Sequence, residues 1–461
     1  MCGVFGIRSD ERDVSRLAYF GLFALQHRGQ ESAGIAVAEN GRLTAVRELG
    51  LVAQVFDERT LRGLRGEIAI GHTRYSTTGS THWANAQPLV HHGRVRTVAL
   101  GHNGNLTNVE DLREELADCG VPLRSTSDTE VIAALIANDP APLSDAVANT
   151  MAKLDGAFTV TAIADGKLIA FRDPYGFRPL CLGRIEDDLV VASESCALDL
   201  VGAAYERDVK PGELVVIDDG GLHASQAVPQ EGPGKLCIFE FFYLARPDST
   251  IDGVEIHSAR VRMGRQLARE APVEADLVIP IPDSGTPAAI GFSRETGIPF
   301  SEGLIKNRYV GRTFIQPEQG MREQGIRMKY NPLDDVAGKR VIAVDDTIVR
   351  GNTTRQIVSL LREAGATEVH IRISSPPIIS PCFYGIDFGD AQQLIAAERS
   401  VEELREEIGA TSLAFLSLEG LQESTQRPSS QFCRACLTGQ YPTRIPEGRT
   451  LAKMRFEATR V

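Results

Sequence analysis

The chain has 461 residues, a length that suits two or three domains. A hydrophobic fraction of 43% and a charged fraction of 24% describe an ordinary globular protein with sizeable cores. The net charge of −12 disfavours general binding to nucleic acid or anionic membranes. No apolar run approaches membrane-spanning length, and the N-terminus lacks a signal-peptide pattern, so we expect a cytoplasmic protein. Eight cysteines in so long a chain do not describe a secreted disulfide scaffold.

The N-terminus combines a thiol with an apolar strand. The stretch Met1-Cys-Gly-Val-Phe-Gly-Ile7 predicts a strand that starts almost at once and anchors Cys2 on a sheet. Removal of Met1 would leave Cys2 with a free α-amine, whose unperturbed pKa is about 7.7–8.0. A thiol beside its own amine supplies a nucleophile and a base together. On position alone, Cys2 as a small buried residue remains the alternative.

Two later stretches carry polar groups and glycine after apolar runs, at what we expect to be strand ends. They are Gly71-His-Thr-Arg-Tyr-Ser-Thr77 and Gly101-His-Asn-Gly-Asn-Leu106. Arg74 offers a bidentate fork for a carboxylate, and Asn103 with the N–H of Gly104 could form an oxyanion hole. Asp128 could pair with an ammonium group. Taken singly, each has an alternative: a surface ion pair, a hairpin turn and a helix N-cap, respectively.

Together with Cys2, these stretches resemble the class II glutamine amidotransferase domain. Further matches are Gln26-His-Arg-Gly-Gln-Glu-Ser32 and Arg172-Asp-Pro-Tyr-Gly-Phe-Arg-Pro-Leu180. The resemblance covers roughly the first half and implies an αββα N-terminal-nucleophile hydrolase fold, with two antiparallel sheets between helical layers. It implies that Cys2 attacks the side-chain amide of glutamine and releases ammonia. The residues it assigns to the oxyanion and to the amino-acid end of glutamine are Asn103 and Gly104, and Arg74, Thr77 and Asp128.

The second half begins after a linker-like stretch at residues 229–235. The pattern there changes to alternating strands and helices, which predicts an α/β domain with a parallel sheet. We therefore expect domains at 2–232 and 233–461. Residues 341–344 predict a buried strand, followed by two acids, a short turn and a helix that ends near Gly365. A phosphate suits the helix N-terminus, and the two acids suggest ribose hydroxyls, Mg²⁺ or both.

A similar strand, turn and helix precede it. The turn is Pro282-Asp-Ser-Gly-Thr-Pro287, whose backbone N–H groups and hydroxyls could meet a pyrophosphate. A plain helix cap is the alternative. Lys306-Asn-Arg-Tyr-Val-Gly-Arg312 places three cations in seven residues, either for a ligand or as a solvated loop. The polar residues 316–331 predict an active-site lid.

The stretch from Val344 to Thr354 resembles the phosphoribosyl diphosphate motif of type I phosphoribosyltransferases. The resemblance implies that Asp345 and Asp346 hold the ribose hydroxyls and, with Ser284, lie at Mg²⁺. The other residues that it assigns to phosphoribosyl diphosphate are Asp283, Gly285, Thr286, Lys306, Arg308, Tyr309, Thr347, Arg350, Gly351, Asn352 and Thr353.

Four cysteines in the second half form a candidate metal site. Cys433 and Cys436 have the C-x₂-C spacing that brings two thiolates to one metal, and Cys237 and Cys382 lie in segments of the same domain. Spacing alone favours Zn²⁺ over an iron–sulfur cluster, although both use four cysteines. A structural or redox pair without metal is also compatible.

The fusion of the two halves in this order resembles the amidophosphoribosyltransferase family over nearly the full length. It includes Phe239-Glu-Phe-Phe-Tyr-Leu-Ala-Arg-Pro-Asp-Ser249 just after the linker. One branch of this family carries a [4Fe–4S] cluster on cysteines in these contexts. The resemblance therefore reverses the preference and implies one cluster and one Mg²⁺ per subunit.

The family resemblance implies that glutamine and 5-phosphoribosyl diphosphate yield 5-phosphoribosylamine, with ammonia passing between two sites. It also implies a homotetramer inhibited by purine nucleotides. One rival interpretation is an amidotransferase with another acceptor, which the acid pair Asp345-Asp346 argues against. The other is a regulator that merely senses its ligand, which the intact glutaminase motifs and the net charge of −12 argue against.

Overall fold

The computed structural model describes residues 2–76, 81–307, 328–387 and 391–445. The first half contains short helices around long antiparallel strands. Its helices are α1 (Val14–Ala24), α2 (Val52–Val55), α3 (Glu58–Gly63), α4 (Val109–Asp118), α5 (Asp128–Asn138), α6 (Leu143–Lys153) and α7 (Ser195–Val201). Its strands are β1 (Gly3–Arg8), β2 (Ser32–Glu39), β3 (Arg42–Leu49), β4 (Ile68–Arg74), β5 (Leu89–His92), β6 (Thr97–Leu106), β7 (Gly156–Ala164), β8 (Lys167–Arg172), β9 (Cys181–Ile185), β10 (Asp188–Ala192), β11 (Ala204–Asp208), β12 (Glu213–Asp218) and β13 (Gly221–Gln226).

These strands form two antiparallel sheets within the described part of the chain. One has the order β11-β9-β10-β1-β4-β2-β3 and the other β13-β12-β8-β7-β6-β5. One apolar cluster lies between the sheets, with Val4 and Ile70 from one sheet and Leu168 from the other. Two further clusters bury the outer faces, one under α1 and α7 and one under α4, α5 and α6. Because both faces of each sheet are covered, β7 is buried along its whole length and the layers are αββα.

The second half has a parallel sheet and several short ribbons. Its helices are α8 (Ile256–Glu270), α9 (Thr286–Thr296), α10 (Asn352–Glu363), α11 (Val401–Ile408), α12 (Leu418–Thr425) and α13 (Ala435–Thr438), with a π-helical turn at Glu240–Leu244. Its strands are β14 (Leu236–Cys237), β15 (Thr250–Ile251), β16 (Val254–Glu255), β17 (Leu277–Pro280), β18 (Leu304–Lys306), β19 (Tyr330–Pro332), β20 (Arg340–Asp345), β21 (Glu368–Ile373), β22 (Ser412–Phe415) and β23 (Phe432–Cys433).

The parallel sheet has the order β17-β20-β21-β22. Alternate residues of β17 and β20 pack on the two faces: Ile342 contacts the cluster under α8 and α9, and Val341 the cluster under α10 and α11. The helix predicted after the acid pair is α10, which buries the expected apolar positions, and the chain turns at Gly365 with φ +92°. The predicted α/β unit with a parallel sheet is therefore confirmed.

The two polar motifs lie at the carboxyl ends of their strands, as expected, because β4 ends at Arg74 and β6 at Leu106. Two of the alternative interpretations are excluded. Antiparallel pairing of Asn103 and Gly104 with Thr159 and Phe158 in β7 holds them in the sheet, which also excludes the alternative of a hairpin turn. The N-cap of α5 is Ser127 rather than Asp128, since the Ser127 hydroxyl accepts the N–H of Thr129.

The two halves pack directly on each other. The ring of Phe177 stacks on that of Tyr384 with centroids 4.3 Å apart, and Phe177 is fully buried in a cluster made mainly of second-half residues. The lid expected at 316–331 lies mostly outside the described residues. Its last residues belong to β19, which pairs with β18.

Candidate functional site

Cys2 lies at the start of the central strand of the first sheet. It is buried, and β1 is paired on both sides, with β10 and β4. The Sγ atom donates to the carbonyl of Tyr75 at 3.6 Å, and the backbone nitrogen donates to Asn103 Oδ1 at 3.3 Å. Residue 1 lies outside the described range. The sheet therefore fixes the position of the thiol and of the nitrogen that would become an α-amine.

Asn103 brings an unused donor to the same place. Its side chain is fully buried, and its Nδ2 atom has no hydrogen-bond partner in the described part of the chain, although Oδ1 accepts from Cys2. A buried donor without a partner costs about 1–3 kcal/mol. At Gly104, an added Cβ would lie 2.0 Å from the carbonyl oxygen of Ala157, so no side chain fits. The unused Asn103 donor is what the predicted oxyanion hole requires, and the assignment of Asn103 and Gly104 to it stays a prediction.

The predicted carboxylate-binding arginine lies at the end of β4. Arg74 is buried, and its Nη1 atom lies 3.7 Å from Glu31 Oε2. Glu31 also accepts from the backbone N–H and the hydroxyl of Ser76. Thr77, the residue predicted beside it, lies outside the described residues.

Asp128 faces a histidine to which the sequence analysis gave no role. Its Oδ1 atom is 3.7 Å from His102 Nδ1, and its Oδ2 atom accepts the N–H of Leu106 at 3.1 Å. Burial, the largest effect, would raise the pKa of Asp128, but His102, the Leu106 N–H and Arg113 together lower it. Burial alone would lower the pKa of His102, but attraction to Asp128 raises it. The pair thus holds opposite charges together beneath β6, and the position of His102 within the 101–106 motif was its only sequence signal.

A network of buried ion pairs behind Cys2 was also not predicted from the sequence. Arg28 Nε donates to the carbonyl of Cys2 at 3.0 Å, and Arg28 Nη2 donates to Glu240 Oε1 at 2.7 Å. Arg28 also pairs with Glu194, and all three side chains are fully buried. Burial opposes the charge on Arg28, but Glu240 and Glu194 raise its pKa. The three residues are distant in sequence, so no local pattern links them.

The two predicted phosphate turns meet at the carboxyl edge of the parallel sheet. One follows β17 and leads into α9 through Gly285, and the other follows β20 and leads into α10 through Gly351. An added Cβ at Gly285 would lie 2.3 Å from the carbonyl oxygen of Val344, so the two turns approach closely. Gly351 has φ +74°, which favours glycine. Asn352 and Thr353 in the first turn of α10 are exposed, so this helix N-terminus is open to a ligand.

Two of the side chains predicted to bind the ligand have partners near these turns, and two others lie outside the described residues. Lys306 pairs with Asp283, and Arg350 hydrogen-bonds to Gln393. Both contacts hold cations near the rim of the site. Arg308 and Tyr309, predicted to close over it, lie outside the described residues.

Asp346 is buried beneath the turns, and Asp345 is partly buried. The N–H of Asp346 donates to Asp345 Oδ1 at 2.9 Å, whereas the buried Asp346 Oδ2 has no hydrogen-bond partner among the described residues. Burial raises the pKa of Asp346 to about 6, against the opposing effects of a Ser284 hydrogen bond and of Arg260. Burial and the neighbouring Asp346 raise the pKa of Asp345 further above its ordinary value. A hard cation with oxygen ligands fits such an unmatched carboxylate.

The four predicted metal-binding cysteines converge. Cys237 and Cys433 are directly paired across the β14–β23 ribbon, and the Cys436 carbonyl accepts the N–H groups of Ile379 and Ser380, near Cys382 in sequence. All four are buried, and Cys436 interacts electrostatically with the other three. Burial raises the pKa of Cys237 to about 11, while Arg178 opposes that rise. Within the described ranges, no group of three or more His, Cys, Asp or Glu has an arrangement that could hold a metal ion.

Comparisons with known proteins agree on both halves. A glutamine amidotransferase domain model matches residues 72–200, and a phosphoribosyl transferase domain model matches residues 255–374. The amidophosphoribosyltransferase of Mycobacterium tuberculosis is 51% identical over 470 residues, covering 99% of this chain and 89% of that protein. The chain belongs to the amidophosphoribosyltransferase family.

Solved structures give the same relationship. Glutamine phosphoribosylpyrophosphate amidotransferase from B. subtilis, complexed with ADP and GMP, is 48% identical with a TM-score of 0.92, covering 98% of this chain and 100% of that chain. The structure described as the allosteric regulatory enzyme of purine biosynthesis is 48% identical with a TM-score of 0.93, covering 98% of each chain. The fold predicted for a member of the amidophosphoribosyltransferase family, an amidotransferase domain followed by a phosphoribosyltransferase domain, is confirmed. None of the helices in the described ranges is long and apolar enough to cross a bilayer.

Removal of the charge on Asp346 is predicted to increase the stability of the fold. Above about pH 6, ionised Asp346 opposes folding, and below its ordinary pKa of 3.8 the group is neutral in both states. In metal-free buffer at pH 7.5, we expect Asp346→Asn to stabilise the fold by on the order of 1–3 kcal/mol. The gain should shrink as the pH falls from about 6 towards 4.

Thermal unfolding across this pH range measures the effect. Asp187→Asn, at an exposed position in the β9–β10 turn, is the control and should show no such pH-dependent gain. A melting temperature for Asp346→Asn below that of the unsubstituted chain at pH 7.5 would contradict the prediction.

Proposed function

We propose that the chain converts glutamine, 5-phosphoribosyl diphosphate and water into 5-phosphoribosylamine, glutamate and diphosphate. This reaction is the first committed step of de novo purine biosynthesis. The observation that carries the proposal is the contact between the Cys2 nitrogen and Asn103 Oδ1, which leaves Asn103 Nδ2 unpartnered beside the thiol. The same molecule carries a buried acid pair between two open turns, as an activated sugar phosphate requires.

The first half-reaction needs a nucleophile, a base and oxyanion donors. After removal of Met1, the α-amine of Cys2 takes the thiol proton and Sγ attacks the side-chain carbonyl of glutamine. Asn103 Nδ2 and the Gly104 N–H stabilise the oxyanion, ammonia leaves, and water hydrolyses the thioester to glutamate. We assign the amino-acid end of glutamine to Arg74, Thr77 and Asp128.

The second half-reaction is mainly a matter of positioning. Asp345 and Asp346 hold the ribose hydroxyls, so C1 faces the incoming ammonia while diphosphate leaves. The 5′-phosphate rests on the α10 N-terminus, where backbone N–H groups favour negative charge. We assign the remaining contacts to Thr347, Arg350, Gly351, Asn352 and Thr353 for the 5′-phosphate, and to Asp283, Ser284, Gly285, Thr286, Lys306, Arg308 and Tyr309 for the diphosphate and closure.

Mg²⁺ fits the acid pair. Asp346 Oδ2 is a buried acceptor without a partner, and the Ser284 hydroxyl bonds to the same carboxyl group. We propose Ser284, Asp345 and Asp346 as the residues that hold it. When bound, Mg²⁺ neutralises charge on the leaving diphosphate.

Ammonia must pass between the sites without entering bulk water, because at neutral pH it would be protonated and lose its lone pair. The two halves that carry the sites are joined by direct contacts, which support such a passage. Asn105 Nδ2 in β6 donates to the Phe383 carbonyl at 3.0 Å, and the Tyr75 hydroxyl donates to Asp387 Oδ2 at 3.1 Å. The same contacts link the loop that holds the Cys2 thiol to the second half.

Cys237, Cys382, Cys433 and Cys436 are proposed to hold a [4Fe–4S] cluster, with Zn²⁺ as the alternative. Support comes from four buried cysteines, of which Cys436 interacts electrostatically with the other three, and from Arg178, which would stabilise the thiolates of Cys237 and Cys433. When bound, the cluster serves as a structural element remote from the chemistry.

We further propose one Mg²⁺ per subunit, a cytoplasmic homotetramer, domains at 2–232 and 233–461, and feedback inhibition by purine nucleotides. The B. subtilis relative was solved with ADP and GMP, which supports the last point.

Cys2→Ala should separate the two half-reactions. The substitution removes the nucleophile and leaves the acid pair untouched. We expect glutamine-dependent diphosphate release to fall to background, while release supported by ammonium at mildly alkaline pH stays within about threefold of the unsubstituted protein. Diphosphate release that remains equally glutamine-dependent in the variant would disprove the two-site scheme.

Asn103→Asp tests the oxyanion donor. It keeps the acceptor for the Cys2 nitrogen and replaces the Nδ2 donor with oxygen. We expect the glutamine-dependent rate to drop by roughly 10²–10³-fold, with the ammonia-dependent rate nearly unchanged. Asn40→Asp, in the exposed β2–β3 turn, is the matched control. Equal glutamine-dependent rates in both variants would exclude Asn103 from the oxyanion site.

The metal content distinguishes the cluster from zinc. Protein prepared without oxygen should contain about four irons per chain and show broad visible absorption that is lost in air. Cys433→Ser should lose the iron, whereas Cys119→Ser, at an exposed cysteine, should keep it. Stoichiometric zinc without iron would reverse the assignment.

A further inference from the structure

A second buried arginine lies between the two sites. Arg260 is on the buried face of α8 and is 3% exposed. Its Nε atom donates to the carbonyl of Phe241 and its Nη2 atom to the carbonyl of Ala245, both at 2.8 Å. These two carbonyls belong to the π-helical turn Glu240–Leu244 and the residue that ends it. The planar guanidinium therefore clamps the turn at two points.

This turn carries the carboxylate that supports the nucleophile. Glu240 accepts from Arg28 Nη2 at 2.7 Å and Nη1 at 3.1 Å, and Arg28 Nε donates to the Cys2 carbonyl. Arg178 Nη1 approaches Glu240 Oε1 at 3.6 Å from the other side. A displacement of the turn would therefore break contacts of a fully buried ion pair, whose charges need those contacts.

The other neighbours of Arg260 include the acid pair. Burial lowers the pKa of Arg260 to about 10, and attraction to Asp346, then Glu194 and Glu240, opposes this effect. Arg260 in turn opposes the rise in the pKa of Asp346. The charge of Arg260 is thus close enough to interact both with Asp346 of the proposed sugar-phosphate site and with the carboxylates behind Cys2.

We propose that Arg260 is a positioning residue that couples the two sites, by holding the Glu240–Leu244 turn in the form that places Glu240 on Arg28 and Arg28 on Cys2. This inference rests on the proposed function. Occupation of the acid pair by phosphoribosyl diphosphate and Mg²⁺ changes the charge that faces Arg260. The guanidinium transmits this change to the turn through its two carbonyl contacts, and the turn to Cys2 through Glu240 and Arg28.

Arg260→Lys tests the two carbonyl contacts of Arg260 separately from its positive charge. Lysine keeps a positive charge near Asp346 but has one nitrogen in place of the guanidinium fork, so it cannot reproduce both carbonyl contacts. Arg262→Lys is the matched control, because Arg262 lies on the same helix and donates to the Ser424 carbonyl on another face. Glutamate formation is measured with and without phosphoribosyl diphosphate and Mg²⁺, beside ammonia-dependent diphosphate release and thermal unfolding.

In Arg260→Lys, we expect the stimulation of glutamine hydrolysis by phosphoribosyl diphosphate to fall by roughly tenfold or more, with ammonia-dependent release within about threefold. Arg262→Lys should keep both. Equal behaviour of the two variants would overturn the proposal. So would a parallel loss of both activities with a lowered melting temperature, or the absence of stimulation in the unsubstituted protein.

Glu240→Gln provides a second route if Arg260→Lys does not fold. It keeps the side-chain volume and removes the charge between the two arginines, so stimulation should be lost in the same way, and retained stimulation would refute the coupling. Failure of the proposed function itself has a different signature, because the unsubstituted protein would then release no diphosphate even with ammonia.

Discussion

The ion pairs of Arg28 with Glu194 and Glu240 are the constraint on which the arrangement of the two halves depends. All three side chains are fully buried, so each charge requires its partners. Glu240 comes from the second half, whereas Arg28 and Glu194 come from the first. Removing the Glu240 carboxylate from the assembled interior would leave the buried charge of Arg28 with one partner fewer, at a cost of several kcal/mol. The nucleophile is attached to this network through its own carbonyl, so the position of Cys2 depends on the packing of the second half.

Each site contains a buried polar atom that no described residue pairs with. Asn103 Nδ2 lacks an acceptor there, and Asp346 Oδ2 lacks a donor. Most buried polar groups in proteins are paired, so such exceptions lower the stability of the free protein. A substrate oxyanion at the first site and a cation with sugar hydroxyls at the second would complete these contacts. The stability that the free chain lacks is then available as binding energy at the reacting groups.

The sequence predicts the local units better than the long-range contacts. Apolar periodicity located β20, α10 and β21, because a strand or helix buried on one side repeats its pattern within a few residues. The polar motifs marked the carboxyl ends of β4 and β6, but no local pattern indicates the antiparallel partners that hold residues such as Asn103 in register. The Asp128–His102 pair and the contacts of Arg28 and Arg260 join residues far apart in the chain, and no spacing rule reports them. Those long-range contacts determine the charges at both sites.

The four cysteines lie in the part of the core where the two halves pack together. They belong to an apolar cluster that also contains Phe177 of the first half, and Cys382 Sγ accepts the N–H of Tyr384, whose ring stacks on Phe177. Burial raises the pKa values of Cys237, Cys433 and Cys436, so without a metal these three thiols remain neutral and pack as apolar groups. Binding a metal requires thiolates and therefore releases protons, and Arg178 reduces the cost of that charge. Because Arg178 also donates to the Tyr384 carbonyl and approaches Glu240, charge at the cysteines acts on the same residues that hold the two halves together.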